Sequence, residues 1–152
     1  MQDIVNCLWF EDRGLEAAHF YTDLFPNSRL LGQSPGPDPD VPMTVSFELD
    51  GRSFVALNGG PMFTFNEAVS FQIMCDTQDE IDHYWDALTA GGEESRCGWL
   101  KDRFGVSWQV VPVRLPELLS SEDPAVAQRV AEAFMPMNKL DISVLEAAAA
   151  AQ

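Results

Sequence analysis

The chain has 152 residues, 46% of them hydrophobic and 22% charged, which suits a soluble globular domain with a real core. Its formal net charge of −15 disfavours binding to nucleic acid or to anionic membranes, since both present phosphates that an acidic surface repels. No apolar run approaches the ~18 residues of a membrane span, and the acidic start MQDIVNCLWFEDRG lacks a secretory leader's basic region, so a cytoplasmic location is expected.

Residues 4–10 are rich in strand formers and predict a first strand. LEAAHFYTDLF follows with Leu15, Ala18, Tyr21 or Thr22, and Phe25 at helical spacing, and Pro26 stops that helix. A short strand over 29–33 leads into SPGPDPDVP, whose four prolines and one glycine predict an exposed, mobile loop. MTVSFELDGRSFVALNGG is a hairpin pattern, with Asp50-Gly51 at the turn.

The pattern then restarts. AVSFQIMCD predicts a strand, and Asp76 or Thr77 can cap the helix QDEIDHYWDALTA, with Ile81, Tyr84, Trp85 and Leu88 on one face. EESRC, GWLKD and VSWQVVPV follow as strands, and Leu115–Ser121, Pro124–Met135 and Asp141–Ala150 as short helices. The two halves are therefore copies of one βαβββ unit. His19-Phe20-Tyr21 matches His83-Tyr84-Trp85 at an offset of 64, and Ser53–Leu57 matches Ser107–Val111 at 54. Module one covers about residues 4–60, module two about 68–113, and a helical tail 115–150, within one domain. The tail is expected to pack on the sheet or on a second subunit, giving a homodimer.

Side chains alternate across a strand. Extending the 64-residue offset to the opening strands pairs Val5, Cys7 and Trp9 with Val69, Phe71 and Ile73, an apolar set expected to lie under the helices. The other set, Asn6, Leu8 and Phe10 with Ser70, Gln72 and Met74, joins Leu57, Gln109 and Val111 on a wetter, concave face suited to a ligand. Gln109 is the leading candidate: either a core amide satisfied by backbone or the group that orients a ligand. Asn6, Asn58, Ser70 and Gln72 add donors and acceptors, and Trp99 is core or cup wall, as is Trp108. Cys7 and Cys75 are expected in the core. Cys97, near Lys101 and Arg103, has no histidine beside it in sequence and is expected to be a packed, inert thiol. His19 and His83 suggest matched packing, Phe63 and Phe65 a lid or an interface, and Asp102-Arg103 a solvated turn.

Taken together, CLWFEDRGLEAAHFYTDLFPNS, SFVALNGGP, FTFNEAVSF, CDTQDEIDHYWDAL and GWLKDRFGVSWQVVP resemble the vicinal oxygen chelate superfamily. The likeness is closest to its PhnB-like branch, also labelled 3-demethylubiquinone-9 3-methyltransferase-like. The resemblance implies an α+β fold: two βαβββ modules forming a curved eight-stranded cup, with the helical tail added. It also implies four inward positions that hold a divalent ion in metal-dependent members, here Asn6, Val55, Ser70 and Gln109. Those residue types are poor ligands for catalytic zinc or iron. The expectation is a metal-free, cofactor-free protein that encloses a small, partly apolar molecule among Leu8, Phe10, Leu57, Met74 and Val111, oriented by Gln109 and Asn6. The alternatives are a metal-dependent lyase or dioxygenase of the glyoxalase type, or a methyltransferase as the branch label suggests, although no G-x-G-like loop follows a strand and opens a helix.

Overall fold

A computed structural model describes Met1–Gln152, which divide into two compact units, Met1–Phe65 and Asn66–Gln152. The first contains β1 (Asn6–Phe10), α1 (Gly14–Leu24), β2 (Arg29–Ser34), β3 (Thr44–Leu49) and β4 (Arg52–Asn58). The second contains β5 (Phe71–Cys75), α2 (Gln78–Thr89), β6 (Glu93–Glu94), β7 (Trp99–Lys101) and β8 (Ser107–Pro112). The tail helices α3 (Arg114–Leu119), α4 (Pro124–Phe134) and α5 (Ile142–Ala150) belong to the second unit. The strands form two four-stranded sheets, ordered β1-β4-β3-β2 and β5-β8-β7-β6, so the same βαβββ topology occurs twice. No helix is long and apolar enough to cross a membrane.

Local chemistry accounts for the punctuation. Asp50 and Gly51 have φ of 48° and 75°, the left-handed pair that a tight hairpin between β3 and β4 requires. Thr77 accepts the amide of Glu80 while the Glu80 carboxylate returns to the Thr77 amide, a complete capping box on α2. Helix α1 has no such cap of its own. Its first amide, on Gly14, donates 2.8 Å to Oδ1 of Asn58 at the end of β4. Asp123 accepts the Ala125 amide at the start of α4, and Asp141 the Val144 amide in the first turn of α5.

In the first unit α1 buries Gly14, Ala17, Ala18 and Tyr21, so Ala18 and Tyr21 of the expected stripe are buried, with Gly14 and Ala17 beside them in place of Leu15 and Phe25. Phe47 stacks against both Tyr21 and Phe54, with ring centroids 6.4 and 5.3 Å apart. In the second, Ile81, Trp85 and Leu88 of α2 are buried, as are Leu100, Trp108 and Val110 on the strands. The tail has its own cluster of Val111, Leu115, Leu118, Val130, Leu140 and Leu145.

The register corrects the reading of β1. Asn6, Leu8 and Phe10 pair with Phe54, Ala56 and Asn58, whereas Cys7 and Trp9 pair with Val55 and Leu57. In the second unit Phe71 and Ile73 pair with Trp108 and Val110, and Gln72 and Met74 with Gln109 and Val111. Since Phe54 corresponds to Trp108, Asn6 corresponds to Phe71, an offset of 65 and not 64. The helices keep 64. The extra residue lies in the β1–α1 connection, which has three residues, Glu11–Arg13, against two, Asp76–Thr77, between β5 and α2. A one-residue slip exchanges every side chain between the faces of a strand.

Candidate functional site

Each sheet has a face covered by its helix and an opposite face that is more open. On the open face of the first sheet stand Cys7, Trp9, Val55 and Leu57. Cys7 is exposed, contrary to the expected core position, because the slip turns it away from α1. Leu8 and Phe10, 7% and 4% exposed, lie on the helix-covered face and cannot line the opposite one. Asn6 shares their parity, and its amide donates to the carbonyl of Ser53 at 3.3 Å. Asn58 is a structural amide: besides accepting from Gly14, it donates 2.8 Å to the carbonyl of Pro42. Trp9 donates 2.9 Å to the carbonyl of Gly60, and Phe63 meets its indole edge-on at 4.9 Å.

The open face of the second sheet does gather the expected polar groups. Gln109 on β8 donates from Nε2 to Ser70 Oγ at 2.8 Å, and its Oε1 accepts from Gln72 Nε2 on β5 at 3.3 Å. Trp99 is paired with Gln109 across β7–β8, and Met74, 45% exposed, lies two residues beyond Gln72. Parity also puts Ser107 and Lys101 on this face, where they pair across the strands. Ser107 is 1% exposed and its hydroxyl has no hydrogen-bond partner. Lys101 pairs with Glu67, which holds the Glu67 carboxyl below its ordinary value and lifts the Lys101 ammonium above its own. Val111 departs from expectation. It shares the parity of Gln109 but is packed into the tail cluster.

Asp102, expected in a solvated turn, is 3% exposed. Its Oδ1 accepts from the amides of Phe104 and Val106 at 2.8 and 3.0 Å, and its Oδ2 from the indole of Trp108 at 2.8 Å. An aspartate six residues before a strand tryptophan, at a tight turn, was the available signal. His19 and His83 are both exposed on their helices, and the His83 ring meets that of the neighbouring Tyr84 edge-on at 5.0 Å. Cys75 is buried, and loss of hydration, reinforced by Glu80 and Asp76, pushes its thiol up to about 12. Cys97 is half-buried with φ of 61°, and its amide donates to the carbonyl of Met137. An open depression of about 490 Å3 lies between Leu15 and the proline-rich loop of the first unit, and none of the expected site residues lines it.

Neither open face fits a catalytic metal. The second sheet offers hydroxyls, neutral amides and carboxylates beside Lys101, of which Glu67 is already paired with that ammonium, and the first offers one thiol, Cys7, beside Val55. No three His, Cys, Asp or Glu side chains converge anywhere in the chain.

Two βαβββ modules of this topology define the vicinal oxygen chelate class, the fold of the glyoxalases. Sequence comparison narrows the class: the 3-demethylubiquinone-9 3-methyltransferase family matches residues 2–111, which span both modules, and the chain belongs to that family. Among solved structures, a PhnB protein from Bacillus cereus is 32% identical, with 74% of this chain and 100% of the other covered and a TM-score of 0.68. A protein from Pseudomonas aeruginosa is 22% identical, covering 74% and 98%, with a TM-score of 0.61. The fosfomycin resistance protein FosX from Listeria monocytogenes is 15% identical, covering 80% and 99%, with a TM-score of 0.59, a likeness of fold. No curated protein matches the chain.

Proposed function

We propose that this chain binds a small, partly apolar molecule without a metal ion, on the open face of the second sheet, with Gln109 as the orienting group. The observation that carries the reading is the hydrogen-bonded row Gln72–Gln109–Ser70 flanked by the apolar surfaces of Trp99 and Met74. A polar core within apolar walls is the usual composition of a ligand site. The donor set supports the metal-free part, because amides and hydroxyls hold zinc or iron weakly. The methyltransferase activity in the family's description draws no support from the strand–helix connections, where Glu11-Asp12-Arg13 and Asp76-Thr77 supply no glycine-rich turn. Self-association as a homodimer belongs to the same reading, supported by exposed apolar side chains such as Leu31, Met62 and Phe63.

A thermal-shift screen of small aromatic and alicyclic compounds, with elemental analysis of the purified protein, tests this function. Binders that raise the melting temperature and perturb the Gln109 and Trp99 side-chain resonances are expected. Stoichiometric zinc, iron or nickel that survives dialysis overturns the metal-free reading. Sedimentation as a monomer across a concentration series removes the dimer.

A further inference from the structure

The depression beside Leu15 belongs to the first unit and shares no residue with the Gln109 face. Its walls come from the first turn of α1 and from the proline-rich loop that joins β2 to β3. That loop is closed on itself. The Met43 amide donates to the Ser34 carbonyl at 2.9 Å, the Val41 amide to the Asp38 carbonyl at 3.2 Å, and the Asp40 amide to Asp38 Oδ1 at 2.9 Å. Asn58 joins the two walls: its side chain accepts from Gly14, next to Leu15, and donates to the Pro42 carbonyl, both at 2.8 Å. The cavity is thus formed before a ligand arrives, and its volume of about 490 Å3 suits a small molecule.

The lining carries charge of one sign. Leu15, Pro35, Pro39 and Pro42 supply apolar surface, Asp38 and Asp40 supply two carboxylates, and no lysine, arginine or histidine joins them. The Asp40 carboxylate has no hydrogen-bond or ion-pair partner, and that of Asp38 holds only the Asp40 amide. The arginines nearest in sequence are both engaged, Arg13 by Glu16 at 2.9 Å and Arg29 by Glu48 at 3.0 Å. The remaining polar groups do not select by charge: the Ser34 hydroxyl is bonded to that of Thr44 at 2.6 Å, and the Gln33 amide can both donate and accept. An anion would meet two carboxylates with nothing to offset them, whereas a cation completes the site. We infer that this depression is a second binding site, for a small organic ammonium ion with an aromatic or aliphatic body. The charge lies beside Asp38 and Asp40, and the body rests on Leu15 and the prolines. Both carboxylates are exposed, so their attraction is modest and weakens with salt.

The test titrates the full chain with phenylethylamine, phenylethanol and phenylpropanoate, which present an ammonium, a neutral and an anionic group on one aromatic body. The Leu15 methyl, Gln33 side-chain and Asp40 amide resonances are followed. At low salt the amine is expected to bind about tenfold more tightly than the alcohol, the gain from two exposed ion pairs, and the anion most weakly. Added salt should narrow the gap between amine and alcohol. Asp38→Asn combined with Asp40→Asn keeps the oxygen that accepts the loop amide and should bring the amine down to the level of the alcohol. A preference that survives in this double variant, or an alcohol that already binds as tightly in the parent chain, overturns the inference. So does an amine that shifts Asp79 and Glu80 on α2 as strongly as the loop, since that is the diffuse attraction of a chain of net charge −15. If the probes move Gln109 and leave the loop resonances still, this site is wrong while the Gln109 reading stands; if they move neither, this site is equally wrong.

Discussion

The two modules share a topology and differ by one residue between the opening strand and its helix. In module one, Glu11–Arg13 let Cys7 and Trp9 emerge on the open face, and in module two the shorter Asp76–Thr77 brings out Gln72 and Met74. The neighbouring strands deepen the contrast, since Val55 and Leu57 occupy the places that Gln109 and Val111 hold. One face is thus mainly apolar with a thiol, the other an amide and hydroxyl row. Duplication preserved the backbone while connection length and a few strand residues gave the copies different surfaces. The helices also start differently: α1 is tied to its sheet by Asn58, and α2 caps itself through Thr77 and Glu80.

The largest expected effect tests the slip directly. Under native conditions a thiol reagent should modify Cys7 far faster than Cys75, which should resist until the protein unfolds. Mass spectrometry of the labelled peptides reads this, and a protected Cys7 would return β1 to the opposite register. The Cys75 thiol is raised to about 12 in the fold from an ordinary 9.0. Its folded state therefore holds the proton more firmly, and this contribution to stability is present below pH 9 and lost as pH rises through the folded value.

Next is Asp102→Ala, which strands the buried Val106 amide, the part-buried Phe104 amide and the buried Trp108 indole and should cost about 3 kcal/mol in denaturant unfolding. Asn58→Ala should cost about 2 kcal/mol, since it releases the start of α1 and the Pro42 carbonyl together. Thr77→Ala should cost about 1 kcal/mol, because a local cap is easier to replace with water. If Thr77→Ala proves the more damaging of the two, the proposed difference in how the helices are anchored is wrong. The smallest effect is expected from Glu67→Gln, whose exposed ion pair should barely move the melting temperature. With Glu67 held low and Lys101 held high, whatever the pair contributes fades as pH falls through the carboxyl's folded value or rises through the ammonium's.

The duplication, the element order, the Asp50-Gly51 turn, a cap on α2 at Asp76 or Thr77 and the Gln109 neighbourhood were all legible in the sequence. These depend on local periodicity, turn chemistry and alternation within one strand. The face of β1 was not legible, because the helical match at 64 does not reveal a strand offset of 65, and one residue reverses alternation. Asp102 was misread because a charged residue in a turn is normally solvated, and its three donors assemble only when the turn closes. Val111 was misread because strand parity carries no information about the tail that later packs over it.

Gly59 has a consequence for module one alone. A Cβ at that position would fall 2.4 Å from the indole of Trp9, so the backbone leaving β4 can lie flat on the ring only while this position has no side chain. With Gly60 holding the indole proton and Phe63 against its edge, the outgoing chain serves as a fitted cover over its own exit. Widening that one position by a methyl would prise the cover loose, exposing an aromatic surface whose counterpart in the other copy is only a methionine.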